Sequence, residues 1–327
     1  MDAPELMPST NEDHLDGMIL NRVNPSANMW SITHPNLGRN VDNFRPWLAP
    51  DDDLERVIRN RKESYASDPN RVCVVGNKRA WGAGQQLLEI QADYLSKIYP
   101  EIYAIENDAE IINKATGDRY PLRPDKQNDL PPIAICGLLG QEDFCIIERQ
   151  DDGRYIMVAG FVASPTNWQL PDFIGKDMDT VHESVDNYDK RLKKVVDRVL
   201  DRLPEFPEGI QARNNLFLRL ETGHDLPHGD PYSDTSHITD PGKQIYLRSE
   251  RETLTRLPAT NEYPDNDRYV IFSIKPHLFP IEKVIAKRGR RFMEVIKKNE
   301  KIRRYAFLSM VEQYAENALP SITESKE

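Results

Sequence analysis

The chain has 327 residues, 39% of them apolar and 29% charged, a globular balance that suffices for one large domain or two modest ones. Its 43 Lys and Arg against 53 Asp and Glu give a net charge of −10, which argues against a nucleic-acid or anionic-membrane partner. Three cysteines without a spacing pattern (Cys73, Cys136 and Cys145) argue against a disulfide framework or a structural zinc site, and no apolar run approaches the ~20 residues of a membrane helix.

In chain order, residues 1–45 are rich in Asn, Pro, Ser and Asp and read as an arm lying on a core. Their acidic, polar start is unlike a secretory signal, so a cytoplasmic protein is expected. Asp51, Asp52 and Asp53 mark the start of a helix, where carboxylates favour the positive end of the dipole. A second helix is expected over about 84–97, with Leu87, Leu88, Ile90, Gln91, Tyr94, Leu95 and Ile98 on a broad apolar face. Residues 103–132 are polar and turn-rich. Phe144-Cys145-Ile146-Ile147 predicts a short strand, Asp151-Asp152-Gly153 a hairpin turn, and 155–163 the returning strand, stopped by Pro165.

A further helix is expected from about Asp186, with Asp189 three positions on as in a capping box. It would place Tyr188, Leu192, Val195, Val199 and Leu203 on one face and end at Pro204. Strands follow at 216–220, 244–254 and 269–274, separated by a His-, Pro- and Gly-rich loop (222–242) and by a shorter loop (258–268). The tail from Pro280 to about Asn317 reads as helical, with a basic stretch from Lys287 to Arg291. Strands joined by hairpins and long loops, without βα alternation, predict an α+β fold: an antiparallel β-sheet with helices packed on it, extended by helices at both ends. The organisation expected is an arm over 1–45, a main domain over 46–279 and a helical tail over 280–327.

Three constellations carry chemistry. His224, Asp225, His228 and Asp230, with His237 nearby, supply imidazoles and carboxylates that suit non-haem iron, although a polar surface loop fits the same composition. His182 follows a run holding Trp168, Leu170, Phe173, Ile174, Met178 and Val181. A neutral imidazole presented from an apolar wall suits the axial face of a haem iron, and it suits a hydrogen-bonded core histidine equally well. The third is the charged strand Arg248 to Arg256, with Arg248, Glu250, Glu252 and Leu254 on one face and Arg251, Thr253 and Thr255 on the other. Its arginines suit carboxylate pairing, such as with haem propionates, or a solvated edge strand. No Ser-His-Asp order, nucleophile elbow, phosphate loop, dinucleotide fingerprint or zincin motif appears.

The ordered set of segments resembles the alpha-subunit family of haem-dependent oxidative N-demethylases, whose haem domain has a PAS-like fold. The likeness runs through Gln141-Glu142-Asp143-Phe144-Cys145, then Pro165-Thr166-Asn167-Trp168-Gln169-Leu170 with Gly175, Val181-His182, Tyr188 and Leu192. Arg213 and Asn215 fit an Arg-x-Asn pair, and Leu247 to Pro258 fits the family's Arg-x-Glu-Arg-Gln-Thr-Leu-x-Arg-Leu-Pro signature with Glu252 in place of Gln. Two prolines usual in the family after the histidine are replaced by Ser184 and Asp186 here, and the loop after Pro258 is longer and more acidic.

What the resemblance implies is a monooxygenase-type catalytic subunit. It would hold haem b with His182 as the axial iron ligand, and demethylate a small amine with dioxygen and electrons from a partner reductase bearing flavin or iron–sulfur. Arg248, Arg251, Arg213 and Trp168 are then the expected cofactor contacts, and Glu250 and Arg251 the expected catalytic pair, with Glu250 meeting a cationic amine or forming an ion pair with Arg213 or Arg251. Other classes remain open at this point: a haem-based PAS-like sensor, a non-haem iron enzyme using His224 and His228, or a scaffold that has lost its cofactor. The basic stretch at Lys287 to Arg291 suits an acidic reductase or a solvated helix face.

Overall fold

The computed structural model describes residues 30–31, 47–165, 168–183, 193–203, 210–220, 235–298 and 305–324. Strand β1 is Trp30–Ser31, and helix α1 (Leu54–Ser67) follows the acidic triplet. Asp53 makes no side-chain cap and pairs instead with Arg56 at 3.2 Å, while Asp51 is drawn to Lys275 at 2.9 Å. A one-turn helix α2 (Pro69–Val72), capped by Asp68, leads into β2 (Cys73–Val75). Helix α3 (Lys78–Ile98) begins six residues before the expected start because Asn77 caps it, accepting from the Ala80 N–H at 2.8 Å. Of its expected apolar face, Leu87, Leu88, Gln91, Tyr94 and Leu95 are buried.

The stretch read as turns holds a second sheet. Strands β3 (Tyr103–Glu106), β4 (Glu110–Asn113) and β5 (Asp118–Pro121) form an antiparallel meander in that order. Asn107 and Asp108 adopt left-handed backbone (φ 53° and 54°) at its first turn, a conformation their short polar side chains tolerate. Helix α4 (Pro132–Leu139) is buried along its whole length. Gly137 within it touches the Phe161 ring so closely that a Cβ there would stand 2.1 Å from Cδ1. Strands β6 (Asp143–Arg149) and β7 (Tyr155–Phe161) make the expected hairpin, paired from Arg149↔Tyr155 to Phe144↔Phe161 and turned at Gly153 (φ 87°).

Short helices α5 (Leu170–Phe173) and α6 (Met178–Val181) come next, and then α7 (Lys193–Arg202). The expected helix start near Asp186, with Tyr188 and Leu192, lies outside the described residues, as does the Val195 side chain. Strand β8 (Ile210–Leu220), one-turn helix α8 (Pro241–Gln244) and strands β9 (Ile245–Arg256) and β10 (Tyr269–Pro280) complete the sheet. These three strands run longer than expected. Helices α9 (Ile281–Lys298, interrupted at Arg288) and α10 (Leu308–Glu324) make up the tail. Among the described residues no helix is long and apolar enough to cross a membrane.

The chain divides into two compact units, a larger one over 30–212 and 252–275 and a smaller one that includes 213–251 and 276–327. Strands β8, β9 and β10 each contribute residues to both. In the larger unit the order β10-β6-β7-β2 is antiparallel throughout, and β1 pairs antiparallel with the start of β8. Both faces of the β6–β7 hairpin are covered, which explains an apolar run without polar alternation. Phe144 and Ile146 pack with α1, α3 and α4 on one side, and Cys145 and Ile147 with Leu170, Met178 and Leu200 on the other. The smaller unit closes its own core from Leu218, Leu220, Leu247 and Phe279 against α9 and α10.

Candidate functional site

His182 belongs to the larger unit and sits at the C-terminal end of α6. One turn of helix is too short to hold itself, so its neighbours matter. Asp177 caps it, its Oδ1 accepting from the backbone N–H and the hydroxyl of Thr180, each at 2.9 Å. The turn hangs from the edge of β7: the Gly175 N–H donates to the Met157 carbonyl at 2.8 Å, and the Met157 N–H to the Lys176 carbonyl at 3.0 Å. Gly175 takes φ 83°, open to glycine at little cost. Met178 points into the core, and Lys193 at the start of α7 pairs with Asp179.

Within this frame the imidazole is oriented. His182 Nδ1 lies 2.7 Å from the Met178 carbonyl oxygen, four residues back. A carbonyl only accepts, so Nδ1 carries the proton, and in the neutral ring the lone pair resides on Nε2. That is the tautomer an imidazole needs to ligate a metal through Nε2, with the second nitrogen anchored by the protein. Trp168 packs edge-on to Phe173 at 5.6 Å, and both join Ile174 and Val181 against the Leu170–Met178 cluster. By this donor chemistry His182 could hold a haem iron through Nε2.

The charged strand contributes a set in the smaller unit. Arg248, 1% exposed, places Nε and Nη2 each 3.0 Å from Glu250 Oε1, and Asn215 on β8 reaches Glu250 Oε2 at 3.4 Å. The strand's two-residue period puts Arg248 and Glu250 on one face. Among the described contacts Glu250 pairs with Arg248, two residues before it on the strand. Arg251 is half-buried. Arg213 lies on β8 with its side chain outside the described residues, and His237 is exposed. His224, Asp225, His228 and Asp230 all lie outside the described residues. Among the described residues no three His, Cys, Asp or Glu side chains converge as for a metal ion.

Several residues of the quoted motifs serve the fold in ways that were not legible beforehand. Asp143 pairs with the buried Arg61 at 2.9 Å and accepts from the Ala163 and Ser164 N–H groups. Gln141 donates to Asp51 at 2.6 Å and accepts from Lys275 at 3.0 Å. Burial alone would raise the Asp51 pKa, but Lys275 and Gln141 outweigh it and hold the carboxyl below its ordinary value. Arg256 donates to the Tyr155 hydroxyl at 3.1 Å and to the Leu200 carbonyl at 2.8 Å, tying α7 to β7. Burial pushes the Cys73 thiol up to about 12 and raises Cys136 and Cys145 as well, so all three stand as protonated fillers.

Compared with known proteins, residues 39–314 match the family described as haem-dependent oxidative N-demethylase, alpha subunit-like. No curated protein matches the chain.

Proposed function

The chain belongs to the haem-dependent oxidative N-demethylase alpha-subunit-like family, and from that premise we propose that it is the haem-bearing catalytic subunit of an amine N-demethylase. The observation that supports the reading is the 2.7 Å contact of His182 Nδ1 with the Met178 carbonyl, which puts the proton on Nδ1 and the lone pair on Nε2. The haem is proposed to be haem b, held by His182 against the wall that Trp168 and Phe173 form, in a domain of PAS-like type. When bound, the haem supplies the oxygen-dependent oxidation of an N-methyl group, with dioxygen as oxidant and electrons from a partner reductase bearing flavin or iron–sulfur. The oxidised methyl leaves the amine as formaldehyde. A cytoplasmic setting is part of the same proposal.

The protein's own residues hold and orient. Met178 fixes the tautomer of His182, and Arg248 and Asn215 fix both carboxylate oxygens of Glu250. A carboxylate restrained in this way suits recognition of a small protonated amine, because little side-chain entropy is lost on binding. Arg251 and Arg213, in the smaller unit, are proposed as partners for carboxylates, a role suited to the planar guanidinium. The replaced prolines after His182 and the longer, acidic loop after Pro258 point to an amine other than the family's usual one.

The test is a product assay. Haem-loaded protein with a chemical reductant and air is given a panel of small N-methyl amines, and formaldehyde is measured. Release that requires both amine and reductant is expected. A folded, haem-loaded protein that releases none with any amine contradicts the proposal.

A further inference from the structure

The turn bearing His182 has one feature that the family likeness does not address. Position 182 is oriented by a main-chain carbonyl, and that carbonyl is placed by a helix of a single turn, Met178–Val181. A hydrogen bond from Nδ1 to a well-placed acceptor sets ring orientation and raises the basicity of Nε2, whereas a wandering carbonyl does neither. The carbonyl also accepts from the His182 backbone N–H at 3.2 Å, and Asp177 holds the turn on which both bonds depend. Its carboxylate takes both donors of Thr180, and its backbone forms a bridge with Ile156 at the edge of β7. Those bonds from Thr180 also hold the Asp177 carboxyl below its ordinary pKa, with Arg154 lying 3.8 Å from its other oxygen. Lys193–Asp179 ties the next residue to α7. Two acids, Asp177 and Asp179, thus flank the residue whose carbonyl is held.

We propose that Asp177 is a positioning residue for His182: by capping the one-turn helix it fixes the Met178 carbonyl against Nδ1, and so sets the aim and donor strength of Nε2 toward haem iron. The proposal rests on His182 being the ligand. Asp177 itself makes no contact with the iron; it acts through Thr180, Met178 and the imidazole in turn.

The experiment compares haem-loaded parent, Asp177→Ala, Asp177→Asn and His182→Ala. The readouts are the iron–histidine stretching band of the ferrous protein, by resonance Raman, and the rate of haem transfer to excess apo-globin. Asn keeps an oxygen to accept from Thr180, so its band should match the parent's. Ala should shift the band to lower frequency, broaden it and speed haem loss about five-fold, the equivalent of one lost cap. If Asp177→Ala does not fold by circular dichroism, Thr180→Val, which removes only the hydroxyl bond, takes its place and should shift the band the same way by less. A folded Asp177→Ala or Thr180→Val with the parent's band and rate overturns the proposal. A band that persists in His182→Ala, or a parent with none, overturns the ligand reading instead, and the two failures are told apart by that control.

Discussion

Loss of the Arg61 side chain should cost the larger unit heavily, and the structure gives the size of the effect. Its side chain is 2% exposed, its Nε donates to the Gly137 carbonyl at 2.7 Å, and its Nη2 donates to the Glu142 carbonyl at 2.5 Å. Nη1 meets Asp143 at 2.9 Å, and the guanidinium lies 5.1 Å from the centroid of the Phe161 ring. Arg61→Ala strands a buried carboxylate, which by itself costs about 3–5 kcal/mol. It also leaves two buried carbonyls without their donor, at about 1 kcal/mol or more each. Asp143 keeps its bonds from Ala163 and Ser164, which soften the first term. We therefore expect a loss of about 4–6 kcal/mol, a large fraction of the ~5–15 kcal/mol that typically holds a domain together. The assay is urea unfolding followed by tryptophan fluorescence, with midpoint and slope compared between parent and variant. Replacing both partners, as in Arg61→Met with Asp143→Leu, should cost less than Arg61→Ala, because no charge is stranded. A loss below about 1 kcal/mol for Arg61→Ala would refute the reasoning, since that is the range of a solvated surface pair.

Two further outcomes follow from neighbouring networks. Asp51 has a depressed folded pKa, so its contribution to stability is complete above its ordinary value of 3.8 and is lost as pH falls through the lower folded value. Stability measured between about pH 6 and pH 2 should show that acid-side fall, and Asp51→Asn should lose the part due to this group while being less stable at neutral pH, because Lys275 is left buried without its counter-charge. A pH profile identical in parent and variant would contradict the pairing. Glu250→Gln keeps an oxygen and an amide beside Arg248 and Asn215 but removes the charge. Its expected effect is a rise of roughly ten-fold or more in KM for a protonated amine, in line with the ~1.5–3 kcal/mol of a charged hydrogen bond, with little change in kcat. An unchanged KM in a folded variant would remove Glu250 from amine recognition.

Some of this architecture was written locally and some was not. The β6–β7 hairpin is legible because an apolar run, an Asp-Asp-Gly turn and a second apolar run stand next to one another, and Gly153 takes the left-handed backbone such a turn requires. Strands β3, β4 and β5 are hidden because four residues span only two side chains per face, too few for a period to show. Asp51 to Asp53 look like a helix start, and one does follow. Asp51 accepts from the Asp53 N–H at 3.1 Å at that start, but its charge partner, Lys275, lies more than two hundred residues on. The partners of buried Arg61 are remote too: Gly137 and Asp143 lie some eighty positions away, and nothing near Arg61 marks it as internal.

The candidate site divides along the same line. His182 stands out in the sequence only through its resemblance to a family pattern, since a histidine beside apolar residues has no chemistry of its own. The Asp177-x-x-Thr180 spacing was a local cap signal that could have placed the turn. The bond from Nδ1 to Met178 could not have been read, because it depends on where a main-chain carbonyl points. Strand period alone puts Arg248 and Glu250 on one face, but the sequence points to Arg213 or Arg251 as the ion-pair partner of Glu250, and its pairing with Arg248 depends on side-chain placement that the period does not show.

The most direct test of the whole account is the ultraviolet–visible spectrum of haem-titrated protein beside His182→Ala. The parent should show a strong Soret band that saturates near one haem per chain. In a folded His182→Ala the band should weaken or move, and added imidazole should restore it. An identical spectrum in the two proteins, or no Soret band in the folded parent, would contradict it.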